Sequence, residues 1–307
     1  FLSALEGLAQ VRDPAVSDVP GVFASFFGPD PLNLLGVVIL TSLGTWGLPQ
    51  MTQKFYAIKS EKAIDTGTVI STLFAAVVAG GCYFLGGFGR LFSDQVDIAA
   101  NGYDSVVPTM LSGLPDILLA VVVILVLSAS MSTLSSLVLT SSSTLTLDLL
   151  KDHIVKDMDQ KRQVFVMRCL IVVFIAISVV LAIVQYKSNV TFIAQLMGVS
   201  WGALAGAFLA PFLFGLYWKK ATKAACWASF LFSTVVMLAN IGLNTLFPAV
   251  LRSPINAGAF CMVAGLILVP VVSLFTPKPN AQMVEETFSC FDQKVLVRQS
   301  QALGDPN

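Results

Sequence analysis

Residues 115–150 have the sequence PDILLAVVVILVLSASMSTLSSLVLTSSSTLTLDLL, a 36-residue run whose only acidic residues, Asp116 and Asp148, lie near its two ends. A helix needs about 20 apolar residues to cross roughly 30 Å of hydrocarbon. As a straight helix this run would be about 54 Å long. The stretch is therefore predicted to cross a membrane and either to tilt or to extend beyond it.

The composition of the whole chain agrees with a membrane protein. Of 307 residues, 56% are hydrophobic and 12% charged, which is about half the charged share of a soluble domain. The 18 basic residues equal the 18 acidic ones, and the mean hydropathy is +0.81. These values exclude a disordered chain and a nucleic-acid binder with a basic surface. The predicted fold class is an all-α integral membrane protein, with the lipid bilayer as its surroundings.

Seven apolar stretches are predicted to span the membrane, with approximate bounds 32–53, 65–92, 114–149, 164–186, 190–218, 222–246 and 256–276. With seven spans, 14 of the 18 basic residues lie in one set of alternate loops and in the C-terminal tail. The positive-inside rule then places the start of the chain outside and Asn307 in the cytoplasm of a plasma-membrane, multi-pass protein. Residues 1–276 form the predicted transmembrane domain and residues 277–307 a cytoplasmic tail.

The first of these spans contains helix-breaking residues. In LNLLGVVILTSLGTWGLPQMTQKFYA, residues 32–57, Gly44, Gly47 and Pro49 predict a kinked or unwound helix, because proline removes a backbone donor. One interpretation is a proline kink in a structural helix. The other is a discontinuous transporter helix whose free backbone groups line a substrate site.

The span at 114–149 is rich in hydroxyl groups. Twelve of the 19 residues from Ser128 to Thr146 are Ser or Thr. Ser132 and Ser136 lie one helical turn apart and Thr133 lies on the adjacent edge, so their oxygens suit a small hard cation. Alternatively, such residues pack helices together and bond to their own backbone, the interpretation favoured for Thr140–Thr146.

Residue types typical of an enzyme are sparse. The five cysteines are far apart in sequence and predict neither a disulfide framework nor a metal cluster. The single histidine, His153, is predicted to lie in a charged, solvated loop. We therefore predict neither an enzyme nor an organic cofactor.

Three motifs resemble the sodium/solute symporter family: GLPQMTQKFYAIKSEKAI at 47–64, SASMSTLSSLVLTSSSTLTLDLL at 128–150 and WGALAGAFLAPFLFGLYWKKATKAA at 201–225. The resemblance implies the inverted-repeat fold of the leucine transporter. The spans would correspond to the second half of the core plus two peripheral helices, with the first half preceding Phe1. The chain is accordingly expected to be a fragment that does not transport alone.

The resemblance also implies site residues and Na⁺ as the coupling ion. One sodium site would include the carbonyl of Ala129 and the hydroxyls of Ser132 and Thr133. A possible second site would use Ser135 and Ser136. The implied solute contacts are Thr41, Thr45, Trp46 and Trp201.

The implied function is sodium-coupled import of a small organic solute by alternating access. The GLP turn at 47–49, with KAIDTG at 62–67 and GGFGRLF at 86–92, is most similar to the pantothenate and monocarboxylate branch of the family, and an amino acid is a further candidate solute. Two alternatives stay open: a proton-coupled carrier of the same fold and a membrane sensor without transport. The sequence makes no prediction of the oligomeric state.

Overall fold

The structure, a computed structural model, describes residues 2–13, 16–51, 58, 60–96, 102–155, 158–188 and 193–292. Ten α-helices lie in this part: α1 Leu2–Gln10, α2 Pro31–Gly47, α3 Glu61–Gly87, α4 Val106–Leu111, α5 Asp116–Thr144, α6 Gln160–Ser188, α7 Ile193–Tyr217, α8 Lys223–Gly242, α9 Pro254–Phe275 and α10 Ala281–Phe288. The only β-type pairing among the described residues is an isolated bridge between Asp13 and Ser17. The all-α prediction is confirmed.

Six helices, α3 and α5 to α9, are long and apolar enough to cross a membrane among the residues described. The first of the seven predicted spans, 32–53, is broken where Gly44, Gly47 and Pro49 predicted a kinked or unwound helix. There, α2 has only 17 residues, or about 25 Å, and ends at Gly47. Leu48 is extended, with φ −83° and ψ 119°, because a residue that precedes proline avoids helical angles. Residues 52–57 lie outside the described part.

The hydroxyl-rich helix continues beyond its predicted end. After α5 stops at Thr144, the chain forms a π-helical segment over Leu145–Ile154. His153 belongs to this segment, which corrects its predicted position in a loop. Its ring nitrogen Nδ1 lies 3.0 Å from the carbonyl oxygen of Asp148, and the side chain is exposed.

The chain divides into two compact units, Phe1–Leu91 with Ile193–Asn307, and Phe92–Phe192. In the first unit, α2, α7 and α9 pack around one apolar core, and α8 packs against α7 and α9. The buried residues of this core are Leu40, Leu48, Ala205, Leu209, Ile255 and Met262. In the second unit, α5 packs against α6.

Glycines allow α7 and α9 to touch through their main chains. Gly198, Gly202 and Gly206 are four residues apart on α7, and all three are buried. A methyl group on Gly202 would lie 2.6 Å from the Cα atom of Gly258 on α9, and one on Gly198 would lie 2.8 Å from the amide nitrogen of Ile255. Small residues at this spacing let membrane helices approach closely. The close contact between α7 and α9 therefore depends on glycine, which has no side chain, at these positions.

The turn between α7 and α8 is fixed by hydroxyl groups. Thr222 caps α8, accepting a hydrogen bond from the amide of Ala225 at 3.3 Å. The Thr222 hydroxyl also lies 2.6 Å from that of Thr276, and the Thr222 amide donates to Ser273 Oγ at 3.3 Å. Since Thr222 is buried, these bonds hold the start of α8 against the end of α9.

Candidate functional site

The predicted sodium ligands lie in the middle of α5, on an exposed part of the second unit. Ala129, Ser132, Thr133, Ser135 and Ser136 are all exposed. The Thr133 hydroxyl donates to the carbonyl oxygen of Ala129 at 3.0 Å, so two of the predicted ligand atoms are already in contact. A carbonyl oxygen has two lone pairs, and one hydrogen bond leaves it able to bind a cation as well.

The hydroxyls of this helix fall into two groups. Like those of Thr133 and Ser135, the hydroxyls of Ser142, Ser143 and Thr146 donate to carbonyl oxygens of their own helix, at 3.0, 2.9 and 2.7 Å. The backbone-bonded interpretation favoured for the stretch Thr140–Thr146 therefore holds for these three of its six hydroxyls, and Thr140, Ser141 and Thr144 make no such bond among the described residues. Ser142 and Thr146 are also fully buried, as expected of packing residues.

The second group has no hydrogen-bond partner within the described part of the chain. It consists of Ser132 and Ser136, together with Ser128, Ser130, Thr140, Ser141 and Thr144. Ser132 and Ser136 are four residues apart and lie on one helix face, and each further step of four residues rotates about 40° away from it. A hydroxyl without a partner is costly in an apolar medium. This face therefore has hydroxyl groups available for a ligand.

The possible second site is less complete. The Ser135 hydroxyl donates to the carbonyl oxygen of Met131 at 2.7 Å, whereas the neighbouring Ser136 has no such bond among the residues described. Ser135 still has acceptor lone pairs, so the bond to Met131 orients the oxygen without blocking it.

The predicted solute contacts on α2 differ in exposure. Thr41 and Thr45 are half-buried, and their hydroxyls donate to the carbonyl oxygens of Val37 at 2.8 Å and Ser42 at 3.0 Å. Trp46 is 62% exposed. Ser42 lies one turn before Trp46 and is also exposed. The four-residue spacing of Ser42 and Trp46 is the signal that places them on one face.

Trp201 belongs to a different environment. It lies on α7 and packs against the apolar core of the first unit. A methyl group on Gly44 would lie 3.2 Å from Cε3 of Trp201. Trp201 thus packs beside α2, and its contact with the solute stays a prediction, while Trp46 points away from this core.

The predicted hinge residues surround the break in α2. Gly44 and Gly47 are buried, and Pro49 follows the extended Leu48. A methyl group on Gly47 would lie 2.8 Å from the carbonyl oxygen of Ala205. Gly47 is therefore also needed for close contact with α7, a role that the sequence reasoning did not assign to it.

No group of three or more His, Cys, Asp or Glu residues is placed to hold a metal ion in the described ranges. The oxygen atoms that converge on α5 are hydroxyl and carbonyl oxygens. Such uncharged oxygens suit a monovalent ion that binds reversibly better than a tightly held divalent metal, which usually takes carboxylate ligands.

Comparison with known proteins gives a consistent group of relatives. A family model described as sodium:solute symporter family matches residues 20–232. The high-affinity proline transporter of Bacillus subtilis is 26% identical over 272 residues, covering 87% of this chain and 54% of the relative. A sodium/proline symporter of Staphylococcus aureus is 27% identical, covering 81% and 50%.

A third relative has a different solute in its name. The sodium/pantothenate symporter of Haemophilus influenzae is 24% identical over 209 residues, covering 67% of this chain and 42% of the relative. The chain thus spans about half the length of the curated relatives it matches. No solved structure gives a significant match.

Proposed function

Because the chain belongs to the sodium:solute symporter family, we propose that it is the second half of a carrier that imports a small organic solute together with sodium. The solute is pantothenate, a monocarboxylate or an amino acid. All of these carry a carboxylate, as do the solutes in the names of the relatives. The carrier is a multi-pass plasma-membrane protein, with Phe1 outside, residues 1–276 in the transmembrane domain and residues 277–307 in the cytoplasm.

The observation that supports sodium coupling is the arrangement of oxygens on α5. The Ala129 carbonyl and the Thr133 hydroxyl are in contact, and the nearby Ser132 hydroxyl has no partner among the described residues. Together they offer three oxygens to one Na⁺. Other ligands would come from elsewhere in the complete carrier. Ser135 and Ser136 would contribute to a second sodium site.

Sodium entry supplies enough free energy for accumulation. A membrane potential of about 100 mV contributes roughly 2.3 kcal/mol per charge, and a tenfold sodium gradient adds about 1.4 kcal/mol. One sodium per solute therefore supports a concentration ratio of several hundredfold for a zwitterionic amino acid, and of about tenfold for a carboxylate anion, whose charge cancels that of the sodium. In the alternating-access cycle, bound sodium holds α5 in the outward-open state. When the sodium ion is released into the cytoplasm, α5 is free to leave that state.

Uptake by the complete protein in proteoliposomes tests this function. Labelled pantothenate, short monocarboxylates, proline and other amino acids are supplied with a sodium gradient, and sodium is replaced by potassium in the control. We expect accumulation of one class of solute only when sodium is present outside. Uptake driven by a proton gradient without sodium would instead support a proton-coupled carrier, and no uptake of any solute would support a membrane sensor.

The two tryptophans predicted to contact the solute are expected to respond differently to truncation. We expect Trp46→Ala to raise the KM for solute about threefold to tenfold, since one aromatic contact is lost, with no change in thermal stability. Trp201→Ala should lower the midpoint of thermal unfolding, because Trp201 packs against the core. An unchanged KM in Trp46→Ala would remove this residue from the solute site.

A further inference from the structure

An apolar groove runs along the outer surface between α7 and α8. Its volume is about 310 Å³. The side chains that line it are mainly aromatic or apolar: Phe208 and Pro211 from α7, and Cys226, Trp227 and Phe230 from α8. Phe230 makes edge-to-face contacts with Phe208 and Trp227, with ring centroids 6.0 and 5.7 Å apart. Trp227 is nevertheless 55% exposed, so the groove is open to its surroundings.

One end of the groove carries positive charge. Lys223, the first residue of α8, is the only charged residue that lines it. Within the described part of the chain, Lys223 makes no ion pair. Lys219 and Lys220 precede it in the same turn and line a second cavity, together with Lys278 and Glu285.

We propose that this groove binds one acyl chain of an anionic phospholipid whose phosphate is held by Lys223. The groove supplies an apolar wall for the chain, and the lysine supplies a charge complementary to the phosphate. Basic sites at the ends of membrane helices attract anionic lipids in this way. The hydrogen bonds of Thr222 hold the turn in place, so Lys223 is positioned before the lipid arrives.

The dimensions of the groove fit a lipid in a single leaflet. On α8, Lys223, Cys226, Trp227 and Phe230 share one face. From Lys223 to Phe230 the helix rises about 10 Å, which lies within the roughly 15 Å of hydrocarbon in one leaflet. Tyr217 at the end of α7 is 71% exposed, and an exposed tyrosine at a helix end is typical of the headgroup level. Lys223 is therefore at the depth of the phosphates.

Quenching of tryptophan fluorescence tests the proposal. The complete protein, purified in detergent, is titrated with phosphatidylglycerol that carries bromine atoms on its acyl chains, and in parallel with brominated phosphatidylcholine. The contribution of Trp227 is the signal lost in Trp227→Phe. We expect saturable quenching of this contribution by phosphatidylglycerol at a lower lipid fraction than by phosphatidylcholine.

Charge variants separate specific binding from simple exposure to lipid. Lys223→Gln should raise the phosphatidylglycerol fraction needed for half-quenching about fivefold, and Lys223→Arg should restore it. Lys62→Gln is the matched control, because Lys62 is an exposed lysine in the first turn of α3. Equal quenching by the two lipids, or equal effects of Lys223→Gln and Lys62→Gln, would overturn the proposal. A thermal-unfolding scan of each variant verifies that it is folded.

Discussion

Gly202→Ala is expected to destabilise the protein, whereas Gly215→Ala on the same helix should leave its stability unchanged or raise it. The added methyl group at position 202 would lie 2.6 Å from the Cα atom of Gly258 and 2.9 Å from the Cε atom of Met237. Overpacking of this kind costs about 2 to 3 kcal/mol. At position 215 no atom lies within 4 Å of the new methyl group, and alanine favours a helix over glycine by about 1 kcal/mol.

The midpoint of thermal unfolding, measured for the complete protein in one detergent, compares the two variants directly. The substitution and the helix are the same, so helix propensity affects both variants alike and only the surroundings differ. Equal midpoints for Gly202→Ala and Gly215→Ala would contradict the close contact of the α7 and α9 main chains.

Thr133→Ala is expected to weaken sodium binding by about 10- to 100-fold, since a hydrogen-bonding group lost from a charged partner costs about 1.5 to 3 kcal/mol. The measurement is the sodium concentration that gives half-maximal solute uptake in proteoliposomes. The membrane potential is held constant, so that a change reports on the site rather than on the driving force.

Two further variants control this experiment. Thr133→Ser keeps the hydroxyl and should restore most of the sodium affinity. Ser143→Ala removes a hydroxyl that bonds to the Thr140 carbonyl, and it should leave the sodium dependence unchanged. If Ser143→Ala and Thr133→Ala had the same effect, the loss would reflect the stability of α5 rather than a sodium ligand.

The sequence predicted the all-α class because apolar runs of about 20 residues have few alternatives in a bilayer. It also placed the limits of most spans within a few residues, since charged groups flank them. The resemblance to the symporter family is confirmed by the family model, which matches residues 20–232. The predicted sodium and solute residues stay predictions.

Other features depended on side-chain directions that spacing alone does not give. The sequence placed twelve hydroxyls on one helix but did not indicate that Ser142 bonds to its own backbone while Ser132 lacks such a bond among the described residues. Likewise, Trp46 and Trp201 are the same residue type, and only the packing of α2 on α7 separates them. Gly44 and Gly47 are buried, so the face of α2 that carries them lies against the core, and Trp46 lies on a different face.

The contact between Gly202 and Gly258 also limits how the protein can change over evolutionary time. In an ordinary core, a larger side chain is tolerated once a second mutation shortens the residue opposite. Here the opposite residue is itself a glycine, with no side chain to shorten. A second-site suppressor of Gly202→Ala would therefore have to shift a helix axis, because the side chain at position 258 cannot be shortened. Compensating mutations are accordingly expected in the turns that connect α7, α8 and α9, and not at position 258.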